Sequence, residues 1–307
     1  MPKRLEVRHL VKRYNTFTAV DDLSFDVGEG EVFGLLGPNG AGKTTTIRIV
    51  MDIFKPDAGS VRVLGGSPGT ARERIGYLPE ERGLYPNLKV LDTLVYLAEL
   101  KGMARSVARE RALTWLERVD LVDWADHKVN DLSRGMQQKL QFVTSLVHEP
   151  ELLILDEPFQ GLDPINAGLL NELIRQLQEE GTTVVLSTHQ MNRVEALCDR
   201  ILLIHQGQAV LYGPLAEIQR RYASHTVRLQ TPAALGALPG VARMECHDGA
   251  FTLTLHEGVT PQELLRVLVE RGIPVEAFEV ARLPLEEIFI AVVKGEGHGQ
   301  GMDHRST

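Results

Sequence analysis

The stretch Gly37-Pro38-Asn39-Gly40-Ala41-Gly42-Lys43-Thr44 decides how this chain folds. It fits the pattern G-x-x-x-x-G-K-[ST], whose glycines permit a tight loop with backbone N–H groups that point at phosphate oxygens. In this pattern the lysine bridges the β- and γ-phosphates of a nucleotide, and the Ser or Thr hydroxyl reaches Mg²⁺. We therefore expect residues 37–45 to hold a nucleotide, with Lys43 on its phosphates, Thr44 on the metal and Thr45 beside them.

The residues on either side predict a strand before this loop and a helix after it. The apolar run Val32–Leu36 has the length of a buried strand, and apolar residues recur at helical spacing from Ile47 to Phe54, until Pro56 ends the helix. The positive end of that helix would face the phosphates. A chance match to so short a pattern is the alternative, but the strand–loop–helix order favours the binding of ATP or GTP.

The rest of the first 220 residues predicts an α/β core with two additions. Residues 5–33 alternate like antiparallel strands, and residues from about 87 to 147 are mainly helical. Short apolar runs then return at Leu152–Leu155, Val184–Ser187 and Ile201–Ile204. Such runs between helices are typical of a parallel sheet buried on both faces, so we expect a helical subdomain inserted into an α/β P-loop core.

Beyond Arg220 the pattern predicts a small α+β domain. Residues 226–229 and 251–255 alternate like strands, and Asp248-Gly249 is a hairpin-turn signal. A helix at 261–271, a strand at 275–280 and a helix at 285–293 complete the predicted domain, and the polar tail at 295–307 is expected to be disordered. The predicted domains are thus residues 1–220, with the helical subdomain at about 87–147, and residues 221–294.

The composition limits the classes of protein that this chain can belong to. Its 307 residues suffice for one large domain and a smaller one, and its net charge of −8 argues against a general nucleic-acid binder. No apolar stretch reaches the roughly 20 residues of a membrane helix, and no apolar run follows the basic N-terminus as it would in a signal peptide. The two cysteines, Cys198 and Cys246, are far apart, and we expect two free thiols.

Two carboxylates follow the apolar run Leu152–Leu155. Asp156 would lie at the carboxyl end of a buried strand, beside the phosphate loop, where Mg²⁺ needs an oxygen ligand. Glu157 is placed to accept a proton from an attacking water or to orient it. The alternative interpretation is that two acidic residues merely begin a loop. The phosphate loop earlier in the chain makes this interpretation less favoured.

Several ordered motifs resemble those of ABC ATPases, and the resemblance covers roughly residues 3–220. Leu132–Gln138, with the sequence LSRGMQQ, is similar to the LSGGQ signature of that family. Gly161-Leu162-Asp163-Pro164 resembles the family's D-loop, His189 resembles its switch histidine, and Tyr14 resembles the aromatic residue that stacks on adenine. Resemblance to this family implies ATP and Mg²⁺ as cofactors and ATP hydrolysis as the activity.

The family further implies that two such domains pair head to tail, the second from an identical or a related chain, so that each ATP lies between one chain's phosphate loop and the other chain's signature. Carried over by position, Ser133 and the Gly135 backbone would contact the γ-phosphate bound by the partner. A helix that begins at Ser133 suits this role, because its N–H groups and its capping hydroxyl bind anions. The resemblance also implies that His189 contacts the γ-phosphate and that Asp163 communicates across the dimer.

The chain departs from the family pattern at two places. The signature has Arg134 where the pattern has glycine and Met136 where it has glutamine. Glu80 stands where most members carry the glutamine of the Q-loop. A carboxylate there can still reach Mg²⁺ or its water, although it adds negative charge beside the triphosphate. We therefore hypothesise that Glu80 replaces that glutamine and couples the site to a permease.

Three segments together resemble the bacterial sodium-extrusion and antibiotic-resistance exporter branch of the family: 77–85 (YLPEERGLY), 132–139 (LSRGMQQK) and 283–289 (LPLEEIF). In that branch the ATPase and the membrane permease are separate chains. The resemblance implies a cytoplasmic subunit held at the inner face of the membrane by a permease, and outward transport.

Other functions remain open on the sequence alone. A soluble ABC ATPase that acts on a ribosome or DNA complex is the main alternative; such proteins tend to carry two nucleotide domains or a long coiled-coil insertion, and this chain has one phosphate loop. A GTP-binding switch is less well supported, because no N-K-x-D motif occurs. The small C-terminal domain could be a regulatory ligand sensor. The sequence does not indicate the transported substrate.

Overall fold

The structure is a computed structural model that describes residues 2–81, 83–222, 226–247, 250–256, 258–280 and 283–294. Contacts between Cα atoms divide the chain after Leu215 into two compact units. The predicted hairpin turn at 248–249 and the predicted disordered tail at 295–307 lie outside the described residues. Within the described residues, no helix is long and apolar enough to span a membrane.

The first unit contains nine strands and six helices among its described residues. The strands are β1 Lys3–Tyr14, β2 Phe17–Gly28, β3 Val32–Leu36, β4 Ala58–Val63, β5 Ile75–Leu78, β6 Leu152–Asp156, β7 Thr183–Thr188, β8 Arg200–His205 and β9 Gln208–Pro214. The helices are α1 Lys43–Val50, α2 Val90–Leu100, α3 Arg105–Arg118, α4 Arg134–Thr144, α5 Pro164–Glu179 and α6 Met191–Leu197. A further helix, α7, covers Leu215–Arg221 at the division between the units.

The central sheet has the strand order β5-β6-β7-β3-β8-β9. Its first five strands are parallel, and β9 pairs with β8 in the antiparallel direction. Every residue of β3, β6 and β7 is buried. Strands covered on both faces are mostly apolar, so the continuous apolar runs in the sequence correctly predicted this α/β core.

The two predicted additions are also present. A three-stranded antiparallel sheet with the order β2-β1-β4 packs its apolar side chains, such as Leu10, Leu23 and Phe25, into the same core as α1. The helices α2, α3 and α4 follow one another between β5 and β6 and pack together as the inserted helical subdomain. The predicted architecture, an α/β P-loop core with these two additions, is confirmed.

Helix α1 is shorter than the sequence predicted. It ends at Val50 rather than continuing to Pro56, and Met51 caps it. Asp52 has φ of +60°, a left-handed conformation that a continuing helix does not allow, and Lys55 and Arg72 pair with its carboxylate. Phe54 still packs against the core from the turn that follows. Its apolar character therefore came from tertiary packing and not from a further helical turn.

The glycine of β5 lets the helical subdomain approach the central sheet. A Cβ on Gly76 would lie 2.1 Å from the backbone oxygen of Ser145, which caps the end of α4, and 2.9 Å from a methyl of Leu153 in β6. No side chain fits in this space. The same strand leads directly to Pro79 and Glu80, so this packing also determines where that segment leaves the sheet.

The two cysteines differ in their surroundings. Cys198 follows α6 and is buried against β3, where a Cβ on Gly34 would come within 3.0 Å of its Sγ. Burial, together with the neighbouring Asp199, raises the pKa of the Cys198 thiol. Cys246 lies in the second unit and is exposed. Both thiols are free.

The second unit contains an antiparallel sheet with the order β11-β12-β10-β13. Its elements are β10 Thr226–Gln230, β11 Val241–His247, β12 Ala250–Leu255, α8 Pro261–Glu270, β13 Ala277–Val280 and α9 Leu285–Val293. Leu264 and Leu268 of α8 pack into a leucine-rich core with the strands, and Thr260 with Glu263 forms a capping box at the start of that helix. The predicted small α+β domain is confirmed as an architecture.

We predict that Gly76→Ala lowers the free energy of unfolding by about 2–3 kcal/mol, because the added methyl collides with backbone that cannot move aside. Gly168→Ala is the matched control, since Gly168 lies in α5 with nothing within 4 Å of its Cβ position. The control is expected to stabilise the protein by about 0.5–1 kcal/mol through helix propensity. Urea unfolding followed by circular dichroism measures both, and equal effects of the two substitutions would contradict the packing argument.

Candidate active site

The phosphate loop joins β3 to α1 and requires glycine at two positions. Gly37 and Gly42 have φ of +149° and +109°, and Cβ atoms there would lie 2.2 Å from the Ile204 oxygen and 2.4 Å from the Ala19 oxygen. Only glycine adopts this conformation and leaves that space to the neighbouring backbone. The loop is thus held against β2 and β8 while the first turn of α1 begins at Lys43.

Lys43 is almost completely buried, and its ammonium points back into the loop. Its Nζ donates to the carbonyl oxygens of Gly37 at 2.7 Å and Pro38 at 3.1 Å. Burial lowers the pKa of the Lys43 ammonium, while the negative charges of Glu157, Asp156 and Glu80 raise it. One cation is therefore held between the loop carbonyls and three carboxylates, at the place where a triphosphate would lie.

A cavity of about 410 Å³ surrounds this ammonium. It is lined by residues of the loop from Asn39 to Thr45, by Phe17 and Ala19 of β2, and by Glu80, Asp156 and Glu157. Most of the predicted nucleotide-binding and metal-binding residues thus come together here. A second cavity of about 450 Å³, lined by residues of α3, of the segment after α4 and of the end of α5, contains none of them. We assign the site to the smaller cavity because the charged groups converge there.

Asp156 ends β6 with its carboxylate buried. Ser187 donates its hydroxyl to Oδ1 at 2.7 Å, while Oδ2 is buried without a hydrogen-bond partner among the described residues. Burial raises the pKa of the Asp156 carboxyl, and the nearby hydroxyls of Ser187 and Thr44 act in the opposite direction. A buried, unpartnered carboxylate oxygen beside a threonine hydroxyl is a suitable ligand set for Mg²⁺, which prefers oxygen and takes few protein ligands beside substrate phosphates.

Both the backbone and the carboxylate of Glu157 are held by hydrogen bonds that the sequence did not predict. Its backbone has φ of +51°, and its N–H donates to the Ser187 carbonyl at 2.9 Å. Its carboxylate accepts three hydrogen bonds, from the Thr188 hydroxyl at 3.0 Å, the His189 backbone N–H at 3.0 Å and the His189 Nδ1 at 2.7 Å. A left-handed backbone at a non-glycine residue is a costly conformation that is often found at functional sites. Thr188 and Ser187 were missed by the sequence analysis.

Glu80 follows β5 and also lines the cavity. Its side chain is exposed, and its charge acts on Lys43 and on Asp156. It comes from the segment that joins β5 to the helical subdomain, so it reaches the cavity from a different part of the chain than the loop and the two carboxylates do.

Tyr14 does not line the cavity. It ends β1 with 40% of its surface exposed, and its ring packs edge-to-face on Phe54 at 6.3 Å between centroids. Phe17, directly opposite Tyr14 in the β1–β2 pairing and 57% exposed, lines the cavity instead. Phe17 was not predicted as a site residue, although its aromatic ring next to a turn signal could have indicated a contact with the nucleotide. That Tyr14 stacks on adenine stays a prediction.

Ser133 and Asp163 lie at the N-termini of two helices and away from the cavity lining. Ser133 caps α4 and accepts a hydrogen bond from the Met136 N–H at 3.3 Å, with Gly135 in the first turn. Asp163 caps α5 and accepts from the N–H groups of Ile165 and Asn166 at 3.0 Å each. Both capping residues are exposed, so the structure does not bring them to their own chain's phosphate loop.

The α/β core, the phosphate loop and the two carboxylates at the end of β6 together define a P-loop nucleotide-hydrolysing protein. Comparison with known proteins is more specific. The family described as ABC transporter matches residues 20–160, and the family described as ATP-binding protein DrrA1-3-like, C-terminal domain, matches residues 213–293. The chain belongs to the ABC transporter family as an ATP-binding protein, and it is an ATPase.

Similar proteins include two curated relatives and one solved structure. The ABC transporter ATP-binding protein YhaQ of Bacillus subtilis is 41% identical over 94% of this chain and 98% of its own length. The daunorubicin/doxorubicin resistance ATP-binding protein DrrA of Streptomyces peucetius is 33% identical over 99% of this chain and 95% of its own. The ATP-binding cassette MJ0796, solved as a dimer in a post-hydrolysis state bound to ADP and Pi, has a TM-score of 0.64 at 26% identity, covering 69% of this chain and 98% of its own.

We predict that Thr188→Val lowers the rate of ATP hydrolysis by roughly 10- to 100-fold while ATP affinity is retained, because the predicted base Glu157 loses one of the donors that fix its carboxylate. Thr183→Val is the control. It removes a hydroxyl that accepts from the Gly30 N–H at the other end of β7, and it is expected to cost a similar ~1 kcal/mol of stability without slowing hydrolysis. Steady-state kinetics measures the rate of hydrolysis, and thermal unfolding measures the loss of stability. If Thr183→Val also hydrolysed ATP slowly, the loss of rate would come from damage to β7 and not from the lost hydrogen bond to Glu157.

Proposed function

We propose that this chain is the ATP-hydrolysing subunit of an exporter, which powers a separate membrane permease through ATP-driven pairing of two nucleotide-binding domains. Membership of the ABC transporter family supports the transport role. Outward transport is supported by the likeness to a relative named for resistance to daunorubicin and doxorubicin, which extends over almost the whole chain. The observation that carries the proposal is the Glu157 carboxylate, fixed by three donors beside the buried Lys43.

In the proposed catalytic arrangement, the N–H groups of the loop from Gly37 to Thr45 and the Lys43 ammonium hold the β- and γ-phosphates. Thr44 and Asp156 would hold Mg²⁺, with Glu80 close enough in the cavity to reach the ion or its water. When bound, that ion would neutralise charge that develops on the phosphates. Glu157 orients the attacking water and accepts its proton, and His189, hydrogen-bonded to Glu157, completes the γ-phosphate contacts.

The exposed N-terminus of α4 supports a paired arrangement. Ser133, Gly135 and Asp163 do not line this chain's cavity. The N-terminus of α4, capped by the uncharged Ser133 hydroxyl, is a good anion site, whereas the first N–H groups of α5 already donate to the Asp163 carboxylate. A second chain that brought its phosphate loop to Ser133 would fill that site with its own nucleotide. The dimeric cassette with bound ADP and Pi that this chain resembles supports such pairing.

The domain roles and the location in the cell follow from this proposal. Residues 1–220 would be the nucleotide-binding domain, with the helical subdomain at about 87–147, and residues 221–294 an accessory domain. The permease would hold the subunit at the inner face of the membrane, and no nucleic acid would be a partner. Tyr14 would stack on the adenine ring beside Phe17, once the nucleotide extends from the phosphate loop toward the end of β1.

We predict that Glu157→Gln lowers ATP turnover by about 10²- to 10⁴-fold, because glutamine can keep hydrogen bonds but cannot accept the proton of water. The variant should bind ATP and accumulate as an ATP-bound dimer, detected by sedimentation velocity. Glu179→Gln, at the exposed end of α5, is the matched control and should behave as wild type. Rapid turnover by Glu157→Gln would assign the base elsewhere, and a monomer with bound ATP would contradict the paired arrangement.

The permease is tested by isolating the tagged chain from detergent-solubilised membranes of the cells that produce it naturally. We expect a multi-span membrane protein to co-purify in a stable ratio and to raise the ATPase rate when both are placed in lipid vesicles. Recovery with ribosomes or a DNA-repair complex, and with no membrane protein, would overturn the transporter role while leaving ATP hydrolysis intact.

A further inference from the structure

The segment that carries Glu80 has a specific partner in helix α4. This lid segment, Leu78–Glu81, connects the end of β5 to the helical subdomain. Gln141 donates its Nε2 to the carbonyl oxygens of Pro79 and Glu81, both at 3.1 Å. The two accepting residues flank Glu80 on either side. One side-chain amide therefore fixes the backbone immediately before and after the residue that points into the cavity.

The burial of Gln141 indicates that this contact is specific. The side chain is only 3% exposed, and its Oε1 is buried without a hydrogen-bond partner among the described residues. An unpartnered buried amide oxygen destabilises a protein, and an apolar residue of similar size would avoid that cost. Because two carbonyls face the amide, its NH₂ group must be the end that points at the lid segment. Gln141 is therefore destabilising through its Oε1, but its NH₂ group supplies the hydrogen-bond donor that the lid-segment carbonyls require.

Helix α4 connects this clamp to the signature at its own N-terminus. Gln141 lies eight residues after Ser133, a rise of about 12 Å along one continuous helix. Between them, Gln138 donates its Nε2 to the Pro158 carbonyl at 3.1 Å, next to Glu157. A helix of three turns moves as a rigid body, so a displacement at Ser133 also displaces the groups that hold the lid segment and the residue after Glu157.

We propose that Gln141 is a positioning residue that sets the place of Glu80 and makes it depend on the position of the signature helix. Binding of the partner chain's nucleotide at Ser133 would then be communicated, through α4 and Gln141, to Glu80 in this chain's own site. This inference rests on the proposed function, in which Ser133 contacts the partner's ATP and Glu80 acts on Mg²⁺ or its water. In this proposal, Ser133 and Gln141 of the same helix, α4, link the two nucleotide sites of a dimer.

A double-mutant cycle on the full chain tests this link. Gln141→Met removes the donor and keeps a side chain of similar volume that suits a helix, and Glu80→Ala removes the group that is positioned. We expect Gln141→Met to raise the Mg²⁺ concentration for half-maximal ATP hydrolysis about tenfold, as is typical when a group that orients a metal ligand is lost. In the Glu80→Ala background the same substitution should cause no further change, because coupled residues are not additive.

Hydrogen exchange of the protein without nucleotide or metal gives a readout independent of activity. Gln141→Met should speed exchange of the amides at the end of β5, which pair with β6 and adjoin the segment that loses its clamp. Gln176→Met in α5 is the control: that exposed glutamine accepts from Arg118 at 2.9 Å, and its loss should change neither the exchange of these amides nor the Mg²⁺ requirement. Gln141→Asn, which keeps the amide one methylene short of the carbonyls, should act in the same direction if the methionine variant folds poorly.

The outcomes separate this inference from the proposed function. Unchanged exchange at the end of β5, or equal shifts of the Mg²⁺ requirement with and without Glu80, would overturn the positioning role of Gln141 alone. Wild-type Mg²⁺ dependence in Glu80→Ala would instead overturn the proposed role of Glu80. A tenfold shift that disappears in the Glu80→Ala background supports both.

Discussion

The parallel pairing of β6 with β7 is the constraint on which the nucleotide site depends. In this register Asp156 lies opposite Ser187, so the strand end that presents two buried carboxylates meets the strand end that supplies their donors. Carboxylates buried this deeply need several hydrogen bonds to be tolerated. A shift by one residue would separate Glu157 from Thr188 and His189. Parallel neighbouring strands need a crossover connection, and α5 supplies it between β6 and β7. The need to place these two strand ends side by side therefore also requires a helix between the strands.

The position of the helical subdomain has a functional logic of the same kind. It is inserted between β5 and β6, two neighbouring strands of the central sheet. One of its connections therefore begins at Glu80, and the other returns along α4 to the strand that ends in Asp156. The first connection lies at the triphosphate cavity, and α4 itself contacts both the lid segment and the residue after Glu157.

The sequence predicted those parts of the fold whose signal is local. The phosphate loop, the buried strand before Asp156 and the helix at 285–293 each carry a complete pattern within a short window, and the structure has all three. The predicted end of α1 was wrong, because Met51 and Phe54 are apolar in order to pack against the core and do not continue the helix. Phe17, Thr188 and Gln141 were missed, since each matters through a neighbour distant along the chain. The proposed roles of Ser133 and Asp163 require a second molecule and so cannot be read from one chain.

The contrast between the two cysteines has a practical consequence for spectroscopic work. Cys198 is sealed beneath Gly34 with its thiol held protonated, and Cys246 is exposed in the C-terminal unit. A maleimide reagent reacts through the thiolate, so under native conditions it modifies Cys246 and spares Cys198. The natural sequence thus offers a single attachment point for a fluorophore or spin label, outside the nucleotide cavity. The surroundings of the C-terminal unit can then be recorded with and without ATP, without replacing any residue of the nucleotide site.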